Sequence, residues 1–248
     1  MRRHRVKFVV AYDGCDFAGW QSQRQGDTIQ DQLEIAFEKI CGSRVSVVGA
    51  GRTDAGVHAL GQCAHVDLEP GRLSIERWIA ALNATLPTTI RILRGRFVSP
   101  NFHARFSAKG KVYRYRIFNG AVMSPFELGR AWHVAAPINR TLLKRAAKLF
   151  VGRHDFGNFA AKRGQFSENT TRTLSSLGVI TRGNLIELEF AASGFLYKMV
   201  RLVTGTVVRC ALGKETLDSI KLRLEKPEPN VARFVAPAPG LYLVRVSY

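Results

Sequence analysis

Two amphipathic helices set among short alternating strands, in an order that occurs twice, are the feature that most limits how this chain can fold. Alternation of apolar and polar residues indicates strands, and apolar residues spaced three and four apart indicate helices. In the first half the pattern predicts a strand at 5–12, a helix from Thr28 to Gly42, strands at 45–48 and 62–66, a helix from Ser74 to Pro87 and a strand at 90–97. The order is βαββαβ.

The second half repeats this order without residue-level similarity. It predicts a strand at 111–118, a helix at 140–150, strands at 174–181 and 185–191 about a Gly-Asn turn, a helix within 195–212, a short helix from Thr216 and a strand at 241–246. We therefore predict an α+β fold of two ferredoxin-like (split βαβ) halves with mixed, mainly antiparallel sheets and a central active-site cleft. Residues 1–105 would carry the catalytic loop, and residues 106–248 would complete the cleft.

The net charge indicates the kind of partner. The chain has 37 Lys and Arg against 19 Asp and Glu, a formal charge of +18, which favours a polyanion such as nucleic acid. No run of about eighteen uncharged apolar residues is present, so we expect no membrane contact. The four cysteines are far apart and form no C-x-x-C pair. We therefore expect reduced thiols, no zinc site and a cytoplasmic location.

Positive charge is concentrated in one part of the sequence. No Asp or Glu occurs from residue 77 to 126, whereas nine cations do: Arg77, Arg91, Arg94, Arg96, Arg105, Lys109, Lys111, Arg114 and Arg116. Aromatic residues alternate with them, which favours a track for RNA phosphates with rings that stack on bases. The alternative is that surface strands in a basic protein are simply basic and that most of the rings belong to the core.

Asp54 lies in a loop that also contains Gly49, Gly51 and Gly56, where backbone can approach a ligand closely. By pattern alone, an Asp in such a loop is more often a turn residue than a catalytic group. His58 is predicted to be a hydrogen-bonded structural histidine, as is His65. Phosphate-binding P-loop, zinc-protease and serine-hydrolase motifs are all missing from the sequence.

Six segments resemble, in the same order, the signatures of the tRNA pseudouridine synthase A family, and together they extend over nearly the whole chain. They are YDG at 12–14 with GWQSQ at 19–23, GRTDAGVHA at 51–59, NFHARFSA at 101–108, KVYRY at 111–115, FLYKMVR at 195–201 and GLYL at 240–243. Lys198 departs from the pattern, because family members often carry His there. As an expected exposed helix position, it puts a local RNA contact in doubt and leaves the chemistry untouched.

The resemblance implies an isomerase that converts uridine to pseudouridine at positions 38, 39 and 40 in the anticodon stem-loop of tRNAs. It also implies a homodimer and a reaction without metal or other cofactor. Asp54 would be the catalytic nucleophile, attacking either C1′ of the ribose or C6 of the base. Arg201 would pair with Asp54 and keep it ionised, Tyr113 would stack on the extruded base, and Arg52 would contact a phosphate.

Two other functional classes fit parts of the sequence. An RNA chaperone built from tandem RRM-like modules would share the charge and the aromatic strands, but it would not need Asp54, and the strand around Tyr113 lacks the RRM signature. A nucleoside hydrolase would need a second carboxylate as acid/base partner, and none stands out.

Overall fold

The computed structural model describes residues 4–24, 26–71, 73–161, 169–226 and 234–248. The chain divides into two compact units, Met1–Lys109 with Tyr242–Tyr248, and Gly110–Leu241. The final strand thus groups with the first unit, although it is distant from it in sequence. The separate roles of the two halves stay a prediction. Within the described ranges, no helix has the length and apolarity that a membrane span requires.

The first unit contains seven regular elements and the strand order of a split βαβ sheet. They are β1 (His4–Tyr12), α1 (Ile29–Cys41), β2 (Val48–Gly49), β3 (His58–Leu68), α2 (Ile75–Thr85), β4 (Ile90–Phe97) and the closing strand β10 (Leu241–Ser247). Strand β1 is central and antiparallel to both β3 and β4. The outer edge of β3 pairs with β2 in the antiparallel sense and with β10 in the parallel sense.

One face of this sheet is buried under the two helices. Every second residue of β1, from Val6 to Tyr12, is buried on that face. The ring centroids of Phe8 and Phe37 on α1 lie 5.9 Å apart, as do those of Phe37 and Trp78 on α2. The two helices and the alternating strands of the first unit therefore share one apolar core.

Local signals decided where the helices begin and end. The Thr28 hydroxyl accepts a hydrogen bond from the Asp31 amide, and Gly42 ends α1 in the left-handed conformation with φ of 71°.

The predicted strand at 45–48 was mostly wrong, since only Val48 and Gly49 pair with β3. The Val47 amide instead donates to the Glu34 side chain on α1, at 3.1 Å.

The described residues of the second unit form eight strands and α-helices in the order that the sequence predicts, with two short strands added. They are β5 (Gly110–Phe118), β6 (Trp132–His133), α3 (Arg140–Lys148), β7 (Gly152–Asp155), β8 (Thr171–Arg182), β9 (Leu185–Ala192), α4 (Met199–Ala211) and α5 (Leu217–Glu225). Its strands run in the order β5-β9-β8-β7, all antiparallel, and β6 lies parallel to β5. Both units thus confirm the α+β class with mainly antiparallel pairing.

The helix predicted within 195–212 is present as α4. It begins at Met199 because Lys198 takes the left-handed conformation, with φ of 58°, and cannot continue a right-handed helix. The interpretation of Lys198 as an exposed helix position was wrong: the residue is half-buried and is the N-cap. Its ammonium lies 5.2 Å from the centre of the Tyr197 ring.

Candidate active-site loop

The loop that carries Asp54 connects β2 to β3 and is bonded to the end of β1 through its neighbour Thr53. The hydroxyls of Tyr12 and Thr53 form a buried hydrogen bond of 2.8 Å. The carbonyl oxygen of Thr53 accepts a hydrogen bond of 3.1 Å from the Trp20 amide. Both bonds are on the residue directly before Asp54, so the backbone position of the carboxylate is set by two separate parts of the first unit.

Two glycines allow the 13–20 segment to lie directly on this loop. A β-carbon at Gly19 would be 2.6 Å from the Thr53 carbonyl oxygen, closer than a β-carbon can approach, and 3.1 Å from the Asp54 carbonyl carbon, a tight contact. A β-carbon at Gly14 would collide with the Val57 carbonyl group. Gly19 also has φ of 100°, which favours glycine. The contact is therefore backbone against backbone, with little room for the loop to shift.

The beginning of the loop is fixed by Gln62 and Trp20. The buried Gln62 side chain donates to the Gly51 carbonyl oxygen at 2.9 Å and accepts from the Cys63 amide at 3.1 Å. The indole of Trp20 lies flush against Gly49, where any β-carbon would collide with the ring. Sequence reasoning missed the contributions of Tyr12, Trp20 and Gln62, although two of them lie in segments that carry the family resemblance.

Asp54 itself is half-buried, and its carbonyl oxygen accepts a hydrogen bond of 3.2 Å from the Val57 amide. The main chain thus forms a turn, as the glycine-rich pattern predicts. Arg52, two residues earlier, is exposed, and its Nε donates to Gln21 Oε1 at 3.1 Å. The loop consequently presents a carboxylate and a guanidinium on a backbone that is itself held firmly.

His58, at the start of β3, has a structural environment. It is buried, and its ring stacks on that of Tyr242 of β10, with the ring centroids 4.5 Å apart. Its Nδ1 accepts a hydrogen bond of 3.1 Å from the Gly14 amide. Asp13 Oδ1 lies 3.1 Å from the same nitrogen and accepts from the Cys15 amide. His65 is also buried, and it accepts a hydrogen bond of 3.1 Å from the Ala104 amide. Both histidines are therefore hydrogen-bonded in the interior, as the sequence analysis predicts.

One group of described side chains has the spacing of a metal site. The potential metal-ligating atoms of Asp13, Cys15 and His58 lie within 4.8 Å of one another. The donor set fits a metal poorly. The His58 Nδ1 lone pair points to the Gly14 amide, and the Asp13 oxygen is used in an Asx-type turn. A metal ion would have to displace bonds that tie the 13–15 segment to β3.

Tyr113 and Arg201 belong to the second unit, so the predicted pairing of Arg201 with Asp54 stays a prediction. Tyr113 is buried on β5 and meets Phe195 edge-to-face, with ring centroids 5.0 Å apart. Arg201 lies in the first turn of α4, where its Nε donates to the Ala236 carbonyl oxygen at 2.7 Å. The Ala236 amide donates in return to the Arg201 carbonyl oxygen.

Tyr115 lies two residues after Tyr113 on β5 and is a core residue. It is fully buried, and its hydroxyl donates to the Pro237 carbonyl oxygen at 2.6 Å. Burial raises the pKa of this phenol well above its ordinary value.

The strong positive charge of the chain favours a polyanionic ligand. The family model described as tRNA pseudouridine synthase matches residues 8–107 and 146–248. The chain belongs to the tRNA pseudouridine synthase family, and it is accordingly an isomerase.

Curated relatives are similar over almost their full length. Proteins named tRNA pseudouridine synthase A are 45% identical in Akkermansia muciniphila, 41% in Rhodospirillum rubrum and 39% in Acetivibrio thermocellus. Each alignment covers 98% of this chain and 95%, 87% and 99% of the respective relative. Among solved structures, a chain of a Cbf5-Nop10-Gar1 complex is 14% identical, and the alignment covers 96% of this chain and 49% of that one. Its TM-score is 0.40, which is too low to support a conclusion about this protein.

Proposed function

We propose that this protein isomerises uridine to pseudouridine at positions 38, 39 and 40 in the anticodon stem-loop of tRNAs, with Asp54 as the nucleophile. The observation that carries the proposal is the clamped backbone at Thr53 and Asp54, which Tyr12, Gly19 and Trp20 hold in place. A nucleophile gains rate from such fixed positioning because the reacting geometry needs little further ordering. Family membership supports the same reaction class.

The reaction breaks the bond between C1′ and N1, turns the detached uracil and joins C1′ to C5. The C5 proton is lost and N1 gains one, so the product is an isomer and no oxidant, reductant or water is consumed. The Asp54 carboxylate would attack C1′ or C6 and be released again when the new glycosidic bond is complete. We therefore propose a cofactor-independent reaction.

Three further residues would complete the site. Arg201 would pair with Asp54 and keep it ionised, and its bond to the Ala236 carbonyl oxygen supports a guanidinium held in one orientation within the second unit. Tyr113 would stack on the uracil base after the nucleotide leaves the RNA stem. Extrusion from the stem costs a few kcal/mol. Arg52, exposed beside Asp54, would contact a phosphate of the same nucleotide segment.

The protein would act as a homodimer in the cytoplasm. In the second unit, the 119–131 segment exposes three large apolar side chains, Val122 at 82%, Phe126 at 85% and Leu128 at 69%. A group of exposed apolar side chains is a candidate contact surface, and a second copy of the chain is the partner that the family resemblance implies. Sedimentation of the protein and of a Phe126→Ser variant tests this part by itself.

The experiment that tests the main proposal compares wild type with Asp54→Asn on an unmodified tRNA transcript that has uridines at 38, 39 and 40. Asp16→Asn is the matched control, because Asp16 is an exposed carboxylate in the segment that lies on the loop. We expect pseudouridine at these positions from wild type and the control, and none from Asp54→Asn, although it binds the transcript.

Other outcomes would contradict specific parts of the proposal. An active Asp54→Asn variant would show that Asp54 is only a turn residue. Pseudouridine elsewhere in the transcript would retain the enzyme class and overturn the positions. Binding by all three proteins without any modification would favour the RNA-chaperone alternative.

A further inference from the structure

The face of the first-unit sheet that carries no helix has a cluster of cations. Strand pairing places Lys7 opposite Arg96, and Val9 opposite Arg94, so the three basic side chains lie on the same face. Gly95 lies on the other face, where a β-carbon would be 2.8 Å from the Phe8 ring of the helix-covered core. We call Lys7, Arg94 and Arg96 the β4 basic face.

The charges of the β4 basic face are not compensated. In the part of the chain that the structure describes, neither Arg94 nor Arg96 forms an ion pair with a carboxylate. Burial lowers the pKa of Lys7, and repulsion from Arg96 and Arg94 lowers it further. Three neighbouring cations without an acidic partner raise the free energy of the isolated protein, and a bound anion would lower it.

Other cations of the basic run from residue 77 to 116 are used within the protein. The Arg91 guanidinium donates to the carbonyl oxygens of Pro87 and Ile90 at 2.7 and 2.6 Å. Arg114 lies 3.0 Å from Glu189, and Arg116 lies 2.9 Å from Glu127. The predicted phosphate track stays a prediction, and Arg91, Arg114 and Arg116 already have acceptors within the protein. Among the described residues, Arg94 and Arg96 differ from Arg114 and Arg116 in having no carboxylate partner.

Aromatic rings border the β4 basic face. The Lys7 ammonium lies 3.8 Å from the centre of the Tyr248 ring and 5.4 Å from that of Phe102, and the two rings are 4.9 Å apart. The Tyr248 hydroxyl donates to the Ala104 carbonyl oxygen at 2.8 Å. Phe106 follows Ala104 closely in the chain and is 77% exposed. Its ring packs on that of His103, with the ring centroids 4.4 Å apart.

Histidine bonds hold this aromatic segment in place. His103 Nδ1 accepts from the Arg105 and Phe106 amides, and His65 Nδ1 accepts from the Ala104 amide. Burial first, and then the nearby Arg5, lowers the pKa of His65 to about 4, so its ring remains a neutral acceptor at neutral pH. Phe106 is thus an exposed ring on a backbone that is bonded at several points, which suits stacking on an unpaired base.

We propose that the β4 basic face binds the sugar-phosphate backbone of the RNA substrate, with Arg94 and Arg96 on phosphates and Phe106 stacked on a base. The inference rests on the proposed function only in taking RNA as the ligand. The residues are separate from Asp54, Arg52, Tyr113 and Arg201. They add a second contact region on the first unit, beyond the nucleotide that reacts.

The test measures equilibrium binding of an unmodified tRNA transcript over a range of salt concentrations, in an Asp54→Asn background so that no chemistry is needed. Arg94→Ala/Arg96→Ala is compared with Lys39→Ala/Lys144→Ala, a control that loses the same charge from exposed positions on α1 and α3. Loss of two phosphate contacts should reduce the slope of log K against log salt by roughly 1.5 to 2. The control should keep the wild-type slope.

A second variant tests the stacking contact. Phe106→Ala should weaken binding about fivefold or more while leaving the salt slope unchanged, because a stacked base carries no phosphate charge. Thermal unfolding of the free proteins checks folding, and we expect Arg94→Ala/Arg96→Ala to unfold at or above the wild-type temperature, since it removes repulsion.

Two results would overturn the proposal. Equal loss of affinity in both double variants would mean that only the overall charge matters. Wild-type affinity and slope in Arg94→Ala/Arg96→Ala would mean that this face does not contact RNA. Neither result depends on whether pseudouridine is formed, so failure here is distinct from failure of the proposed function.

Discussion

The hydroxyls of Tyr12 and Thr53 are hydrogen-bonded at 2.8 Å in the interior of the first unit, and this bond ties the last residue of β1 to the residue before Asp54. Both oxygens are shielded from water, so removal of one leaves the other without this partner. The bond thus links the stability of the sheet to the position of the carboxylate.

We expect Tyr12→Phe and Thr53→Val each to lower the free energy of unfolding by about 1–3 kcal/mol, because each leaves a buried hydroxyl poorly satisfied. The double variant should cost less than the sum, by about 1 kcal/mol. Urea unfolding measures both values, and pseudouridine formation should fall in the single variants. Strict additivity of the two changes would show that the bond does not contribute.

Gly19→Ala should disturb the Asp54 loop more than an ordinary glycine replacement. The new β-carbon would meet the Thr53 and Asp54 backbone, and φ of 100° is unfavourable for alanine. We expect a loss of about 3 kcal/mol or more in stability, together with loss of activity.

Gly26→Ala is the control for the backbone angle, since Gly26 has φ of 71° and its β-carbon would meet no atom within 4 Å. It should cost only about 1–2 kcal/mol and keep activity. Equal effects of the two variants on stability and activity would show that the close approach is unimportant.

Stability should depend on pH through His65. Its folded-state pKa of about 4 lies below the ordinary value of 6.5, so the unfolded chain binds a proton more readily. As pH falls from 6.5 towards 4, folding stability should therefore decrease, by about 3 kcal/mol in total from this group.

Urea unfolding of wild type and His65→Asn at several pH values isolates that contribution. Asn retains an acceptor for the Ala104 amide but does not titrate, so the difference in unfolding free energy between the two proteins should change between pH 6.5 and 4. A constant difference over this range would contradict the prediction.

Arg116→Met should destabilise the second unit without altering RNA binding. Its guanidinium lies 2.9 Å from Glu127 and 3.6 Å from the buried Glu187, so its loss leaves a buried carboxylate without that partner. We expect a cost of about 3 kcal/mol in urea unfolding and an unchanged salt slope for tRNA binding. A reduced slope would restore Arg116 to the phosphate contacts.

The sequence alone determined most of the secondary structure and pointed to the Asp54 loop as the candidate site. Thr28 and Gly42 mark the ends of α1 by local chemistry, and alternation in 5–12 identifies a strand with one buried face. Asp54 drew attention only through its resemblance to a family motif, because an Asp in a glycine-rich turn has the same local pattern whatever its role. Lys198 has no local signal for its left-handed backbone, so the sequence placed it inside the helix and not at the N-cap.

Tertiary structure decided which charges and glycines matter. Arg94, Arg114 and Arg116 look alike in the sequence, yet Glu187 and Glu189 reach only the last two, because β9 pairs with β5 although about seventy residues separate them. Likewise, Gly19 and Thr53 are distant in sequence, and the pairing of β1 with β3 brings them into contact. Local propensity depends on neighbours in the chain, whereas charge compensation and close approach depend on contacts between distant segments, which form only when the whole sheet is assembled.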